Sequence, residues 1–281
     1  MKFFQKIKSA IKFVLNQIQP KTIIRANIVQ LAPSELLKGR CALITGGTSG
    51  IGFAIAQAFL NAGASVCITG RSQERLNSAL EKLNNNRAFA VVMDMTQINT
   101  FDEKFSEVIG KLGSVDILVN NAGVSGNGES AEAIFDLAIF TNLKGPYFLL
   151  KTIANYMRKN KIFGNVLNIA SASSLRPGVS PYILSKHGIK ALTVGAAKCL
   201  IKDNIVVNGI APGPTATPML HADNSDISLP NNPLGRYATQ EEIANMAVVL
   251  VSGLGRTIVG DIVYMTGGAG TITVDDISYS F

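Results

Sequence analysis

Thr45-Gly-Gly-Thr-Ser-Gly-Ile-Gly52 joins a short apolar run, Cys41 to Ile44, to Phe53-Ala-Ile-Ala-Gln-Ala-Phe-Leu60, where apolar residues recur at helical spacing. The stretch reads as strand, glycine loop and helix. In such a unit the glycines let the backbone turn tightly and approach a pyrophosphate, whose charge is met by amide donors and the positive helix end. Gly46, Thr48, Ser49, Gly50, Ile51 and Gly52 are the candidate phosphate contacts. An ordinary glycine-rich turn has the same composition, so the segments that follow must decide.

Downstream, apolar strands alternate with amphipathic helices, which calls for a parallel sheet with helices on both faces. Strands are predicted at 40–45, 65–70, 88–93, 115–120, 164–170, 204–210 and 259–265. Helices are predicted at 51–62, 72–84, 99–112, 132–158, 181–201 and 240–252. Right-handed crossovers make this an α/β doubly wound sheet of seven parallel strands, with a cofactor at the carboxyl ends of the strands.

The second strand bears on which dinucleotide binds. NAD requires an acidic residue about 20 residues past the glycines to accept a hydrogen bond from the ribose 2′-hydroxyl, whereas an arginine suits a 2′-phosphate. Here the strand ends Thr69-Gly70-Arg71-Ser72, with no carboxylate. Arg71 is a permanent planar cation able to grip phosphate through paired hydrogen bonds, so NADP(H) is favoured and NAD(H) remains the alternative. Arg75 reads as a solvated surface residue. After the third strand, Asp94-Met95 places a carboxylate where an adenine amino group could be recognised.

The fourth strand leads into Asn120-Asn121-Ala122-Gly123, small residues permitting close backbone approach and amides able to tie loops together. A long helical region then carries Asn142. The fifth strand empties into Ser171-Ala-Ser-Ser174, and Tyr182 and Lys186 follow. Four residues apart on a helix, Tyr182 and Lys186 share a face, so the ammonium is expected to favour the phenolate and pull the phenol towards neutrality. Such a tyrosine can give a proton to a carbonyl oxygen or take one from an alcohol.

Taken together, these motifs resemble the short-chain dehydrogenase/reductase family in its single-domain form, Rossmann-like in fold, over residues 38–268. The resemblance rests on the glycine loop at 45–52, Asp94, the run at 120–123, Asn142, Ser171, Tyr182-x-x-x-Lys186 and Pro212-Gly213. It implies that Tyr182 is the acid/base, Ser171 orients the substrate carbonyl, Lys186 holds the nicotinamide ribose and Asn142 anchors a water-mediated proton relay. The interval from Ser171 to Tyr182 is a residue or two shorter than is common in the family, leaving Ser173 as the alternative serine. The segment containing Pro212, Gly213, Thr215 and Thr217 resembles the family's loop over the nicotinamide carboxamide.

The implied activity is hydride transfer between NADP(H) and a carbonyl or secondary alcohol. Similar members reduce 3-oxoacyl thioesters or oxidise sugar acids and small polyols. The alternatives are an NAD-dependent sugar or polyol dehydrogenase and a non-catalytic, membrane-associated NADP-binding scaffold. The resemblance also implies a homotetramer, with interfaces at the 132–158 and Tyr182 helices and at the last strand. Substrate choice is expected to be set by a polar lid from Pro218 to Gly235.

Three segments divide the chain: an extension at 1–38, the dinucleotide-binding domain at 39–270 and a tail at 271–281. Seven basic residues in the first 39 (Lys2, Lys6, Lys8, Lys12, Lys21, Arg25, Lys38) face Glu35 alone, so six of the seven net positive charges lie there. The folded domain is then nearly neutral, which argues against nucleic acid. Residues 1–18 form a basic amphipathic pattern: a helix lying on an anionic membrane surface, an organelle-targeting segment, or a helix packing on its own core or a partner. No apolar run approaches the roughly 20 residues that span a bilayer. Cys41, Cys67 and Cys199 lack metal-ligand spacing and read as buried thiols in a reducing, cytoplasmic compartment; with two histidines, no metal site is expected.

Overall fold

The computed structural model describes residues 33–125, 128–217 and 227–272, all within the unit Ala32–Phe281. The basic amphipathic segment at 1–18 lies outside the described residues, as do residues 218–226 of the expected lid and 273–281 of the tail.

Seven strands are present among the described residues: β1 (Cys41–Thr45), β2 (Ser65–Gly70), β3 (Ala88–Val92), β4 (Ile117–Asn120), β5 (Gly164–Ile169), β6 (Ile205–Pro212) and β7 (Ile262–Met265). They pair in parallel in the order β3-β2-β1-β4-β5-β6-β7. The order reverses between β1 and β4, the crevice where doubly wound sheets bind ligands. The helices are α1 (Gly50–Asn61), α2 (Gln73–Leu83), α3 (Phe101–Leu112), α4 (Ala131–Ile139), α5 (Gly145–Lys159), α6 (Pro181–Leu200) and α7 (Gln240–Val251).

Successive strand residues point to opposite faces, and both faces are apolar, as a sheet covered on both sides requires. On one face Ile44, Ile68 and Val119 pack with Ile55 and Phe59 of α1, Leu76 of α2 and Ile243 of α7. On the other, Leu43, Cys67 and Leu118 pack with Phe105 of α3, Ile153 of α5 and Leu200 of α6. A half-buried cluster ties the amino ends of the central strands together. Arg40 pairs with Asp116 and donates to Asn165 Oδ1 at 3.0 Å, while Asp116 Oδ2 accepts from Cys41 N at 3.0 Å.

The single helix predicted at 132–158 is interrupted. Between α4 and α5 the chain makes a π turn, Phe140–Lys144, whose interior holds Thr141 and Asn142. Composition does not distinguish i→i+5 from i→i+4 bonding, so the sequence carried no mark of it. Cys67 is buried, and burial pushes its thiol up to about 12; Cys199, expected to be buried, is exposed on α6. Among the described residues no helix is long and apolar enough to cross a membrane.

Candidate functional site

A cavity of about 950 Å³ opens at the carboxyl ends of the strands. Gly46, Thr48, Ser49, Gly50 and Ile51 line its first wall, between β1 and α1. Gly46 adopts φ +65°, and a Cβ there would stand 2.9 Å from the Ala122 Cα. Gly52 does not line the cavity; it lies behind the wall, where a Cβ would run into the Asn121 amide and the Gly46 carbonyl. The glycines therefore make room for backbone, and their loop is lashed to the neighbouring one. Asn121 Nδ2 donates to Thr45 O at 2.9 Å and Gly46 O at 3.0 Å. Thr45 Oγ1 accepts from the backbone N–H groups of Asn121 and Ala122, each at 3.0 Å. Ala122 and Gly123 complete that side of the cavity.

Arg71, Ser72, Asp94 and Met95 form the next wall. Ser72 caps α2 by accepting from Arg75 N at 3.3 Å, which places Arg75 in the first helical turn. Arg75 is exposed, as its sequence reading expected, and it also lines the cavity beside Arg71. Helical periodicity was the available signal: three residues past the cap, the chain has turned back to the Ser72 side. Asp94 Oδ1 is engaged by Thr96 N and Thr96 Oγ1, each at 2.9 Å, which sets the carboxylate in the loop after β3. Thr69 Oγ1, also at the cavity, is buried with no partner among the described residues.

Ser171, Ser173, Tyr182 and Lys186 meet on the far side. Ser180 caps α6 by accepting from Ile183 N at 3.3 Å, and Pro181 occupies its first turn, so Tyr182 enters at the helix start with Lys186 one turn on. Lys186 is buried. Its Nζ donates to Ile169 O at 2.9 Å and lies 5.6 Å from the centre of the Tyr182 ring. Burial lowers the Lys186 ammonium to about 8.

Burial also raises the Tyr182 phenol above its usual value, and the Ser171 hydroxyl beside it works in the opposite direction. The expectation of a phenol drawn towards neutrality is thus reversed in the protein alone. Removing the phenolate from water costs more than its neighbours return. Ser171 Oγ accepts from Ser173 N at 3.1 Å and donates to Ser173 Oγ at 3.2 Å, so the two candidate serines are neighbours.

Asn142 does not line the cavity. It is buried behind Gly123, where Oδ1 accepts from Val124 N at 2.8 Å. Its Nδ2 donates to Val124 O at 2.9 Å and to Ser185 Oγ at 3.1 Å. Pro212, Gly213, Thr215 and Thr217 extend from β6 along the remaining side. The residues sequence reasoning missed are Thr45, Thr69, Arg75, Val124, Arg176 and Ser185; apart from the spacing of Arg75 and the position of Thr45 before the glycines, nothing local marks them.

The family model for short chain dehydrogenases matches residues 40–228. The chain belongs to that family. This short-chain dehydrogenase is 32% identical over 243 residues to the 3-oxoacyl-acyl-carrier-protein reductase of Aquifex aeolicus, a match covering 83% of this chain and 98% of that protein. It is 32% identical over 244 residues to the gluconate 5-dehydrogenase of Gluconobacter oxydans, covering 83% and 95% respectively. Among solved structures it is similar to the 3-ketoacyl-(acyl-carrier-protein) reductase from Brucella melitensis complexed with NADH. That likeness has a TM-score of 0.76 at 28% identity and covers 83% of this chain and 99% of the other. Membership makes the protein an oxidoreductase that uses a pyridine nucleotide on carbonyl or alcohol groups.

The residues present fit such a nucleotide. The cavity wall formed by Gly46, Ser49 and Gly50, the α1 N-terminus behind it and the Thr69 hydroxyl, which has no partner among the described residues, provide for a large polar ligand.

Proposed function

We propose that this short-chain dehydrogenase reduces a substrate carbonyl with NADPH, Tyr182 supplying the proton. One observation carries the proposal: Tyr182, Ser171 and Lys186 converge on one cavity. When bound, the nicotinamide supplies or accepts hydride. Tyr182 gives its proton to the carbonyl oxygen, and the Ser171 hydroxyl donates a hydrogen bond to the same oxygen. Lys186 sits on the same helix face and stabilises the phenolate that results.

Both amide hydrogens of Asn142 are spent on Val124 and Ser185, so its side chain positions the cavity wall.

For the cofactor, Arg71 and Arg75 side by side with no carboxylate at the end of β2 support a 2′-phosphate. The NADH in the Brucella relative supports the competing reading, an NAD-dependent enzyme. Calorimetric binding of NADPH and NADH to wild type and Arg71→Ala separates them. A wild-type preference for NADPH that the variant loses upholds the NADP reading; equal or tighter NADH binding by wild type overturns it.

The apolar side chains exposed on the helices, Phe135 on α4, Tyr147 on α5, and Leu184 and Val194 on α6, support a homotetramer built through these faces. Light scattering on the full chain tests it, and a monomeric mass would exclude it.

A further inference from the structure

Arg176 lies on the loop between Ser171 and Tyr182 and lines the same cavity as both. Its backbone is fixed from two directions. The N–H donates to Ser173 O at 3.3 Å, and the carbonyl accepts from His187 Nε2 at 3.0 Å. Because a carbonyl can only accept, His187 carries its hydrogen on Nε2, and the residue after Lys186 anchors the Arg176 backbone to α6. The guanidinium rests beside Gly270, where a Cβ would stand 3.3 Å from Nε and 3.7 Å from Nη2. Gly270 adopts φ +77°, so glycine there suits the turn and leaves space for the guanidinium.

The charges around it are one-sided. None of the ion pairs among the described residues includes Arg176. Asp94 is the sole carboxylate among the described lining residues; it follows β3, on the wall that Arg71 after β2 shares and not on that of Ser171 and Tyr182. That wall therefore carries two cations and no described anion. Lys186 is buried against Ile169 O, whereas Arg176 is exposed. A planar guanidinium matches a carboxylate or a phosphate through paired hydrogen bonds.

We propose that Arg176 is a specificity-determining residue that recognises an anionic group, carboxylate or phosphate, on the molecule whose carbonyl reaches Tyr182. The proposal rests on the carbonyl chemistry above and adds the charge of the substrate.

Two matched pairs of compounds test it, with the full chain of wild type, Arg176→Ala and Arg176→Lys, in NADPH and in NADH. One pair is 3-oxobutanoate and its methyl ester, with the carboxylate close to the carbonyl. The other is S-(3-oxobutanoyl)pantetheine and its 4′-phosphate, with the phosphate on a long arm. In Arg176→Ala the KM of the charged member of one pair is expected to rise about tenfold or more with kcat nearly unchanged, the loss of a charge-assisted hydrogen bond. The neutral member should stay within about twofold, and Arg176→Lys should recover part of the loss. The pair that responds identifies carboxylate or phosphate. Equal losses for charged and neutral members, or no loss in either pair, overturn the proposal. If wild type reduces none of the four, the carbonyl reading fails by itself, and calorimetric binding of the same compounds decides about Arg176. Loss confined to a charged member upholds the assignment there, and unchanged binding overturns it.

Discussion

Asn142 and Val124 exchange two hydrogen bonds. Val124 N donates to Asn142 Oδ1 at 2.8 Å, and Asn142 Nδ2 donates to Val124 O at 2.9 Å. The same amide reaches Ser185 Oγ at 3.1 Å, so one side chain joins the π turn, the loop after β4 and the helix carrying Tyr182 and Lys186. The extra residue of the π turn interrupts the helical ladder where this side chain is buried.

Asn142→Ala should lower stability by about 1–3 kcal/mol, because the half-buried Val124 backbone groups and the buried Ser185 hydroxyl each lose a partner. Urea denaturation measures this. A change below about 0.5 kcal/mol would mean that packing alone holds the turn.

Tyr182→Phe removes the proton donor and keeps the ring in place. Carbonyl reduction should fall about 10²- to 10⁴-fold while dinucleotide affinity and the urea midpoint stay near wild type. Retained turnover would assign the proton to another group.

Lys186 ties stability to pH with an unusual sign. Its folded pKa of about 8 lies below the ordinary 10.5, so between those values the unfolded chain binds more protons and stability rises with pH. Below about 8 the cost of burying the charge is fully present, about 3 kcal/mol for a shift of this size. Lys186→Met gives up a charge-assisted hydrogen bond to Ile169 O worth about 2 kcal/mol, so at pH 7 it should be more stable than wild type by about 1 kcal/mol. Above the ordinary lysine pKa the gain should turn into a loss of about 1 kcal/mol, because only the missing hydrogen bond remains. Wild-type activity should decline as pH rises through the folded value, since the ammonium is what stabilises the phenolate. Denaturation at a series of pH values, beside an activity profile, checks both.

Gly52→Ala places a methyl where the Asn121 amide and the Gly46 carbonyl already stand. It should cost about 1–3 kcal/mol, as overpacking does, and weaken dinucleotide binding by spreading the two loops apart. Calorimetry and denaturation on one preparation test the pair of effects, and wild-type behaviour in both would show that the loops yield freely.

Arg75→Ala should weaken NADPH binding about tenfold and leave NADH unaffected, if its guanidinium meets the 2′-phosphate beside Arg71. Equal losses for both dinucleotides would instead place Arg75 against groups the two share.

Much of the architecture was legible in the residues. The apolar run before Thr45, the glycines and the periodic segment after them locate β1, the loop and α1 to within a residue, since each depends on local backbone chemistry. The strands alternating with helices likewise foretold a seven-stranded parallel sheet, because a strand apolar on both faces must be covered on both. The last strand was less legible: it begins at Ile262, three residues later than expected, since apolar content alone does not show where pairing with β6 starts.

Other features depended on distant parts of the chain. The π turn at Asn142 is stabilised by Val124 and Ser185, the exposure of Cys199 depends on which face of α6 is covered, and the direction of the Tyr182 shift depends on burial. Arg75 and Arg176 gain their positions from a cavity assembled by elements far apart in sequence. Residue order determines backbone preference and apolar pattern over a few turns; desolvation and convergence at a cavity exist only once those elements have packed.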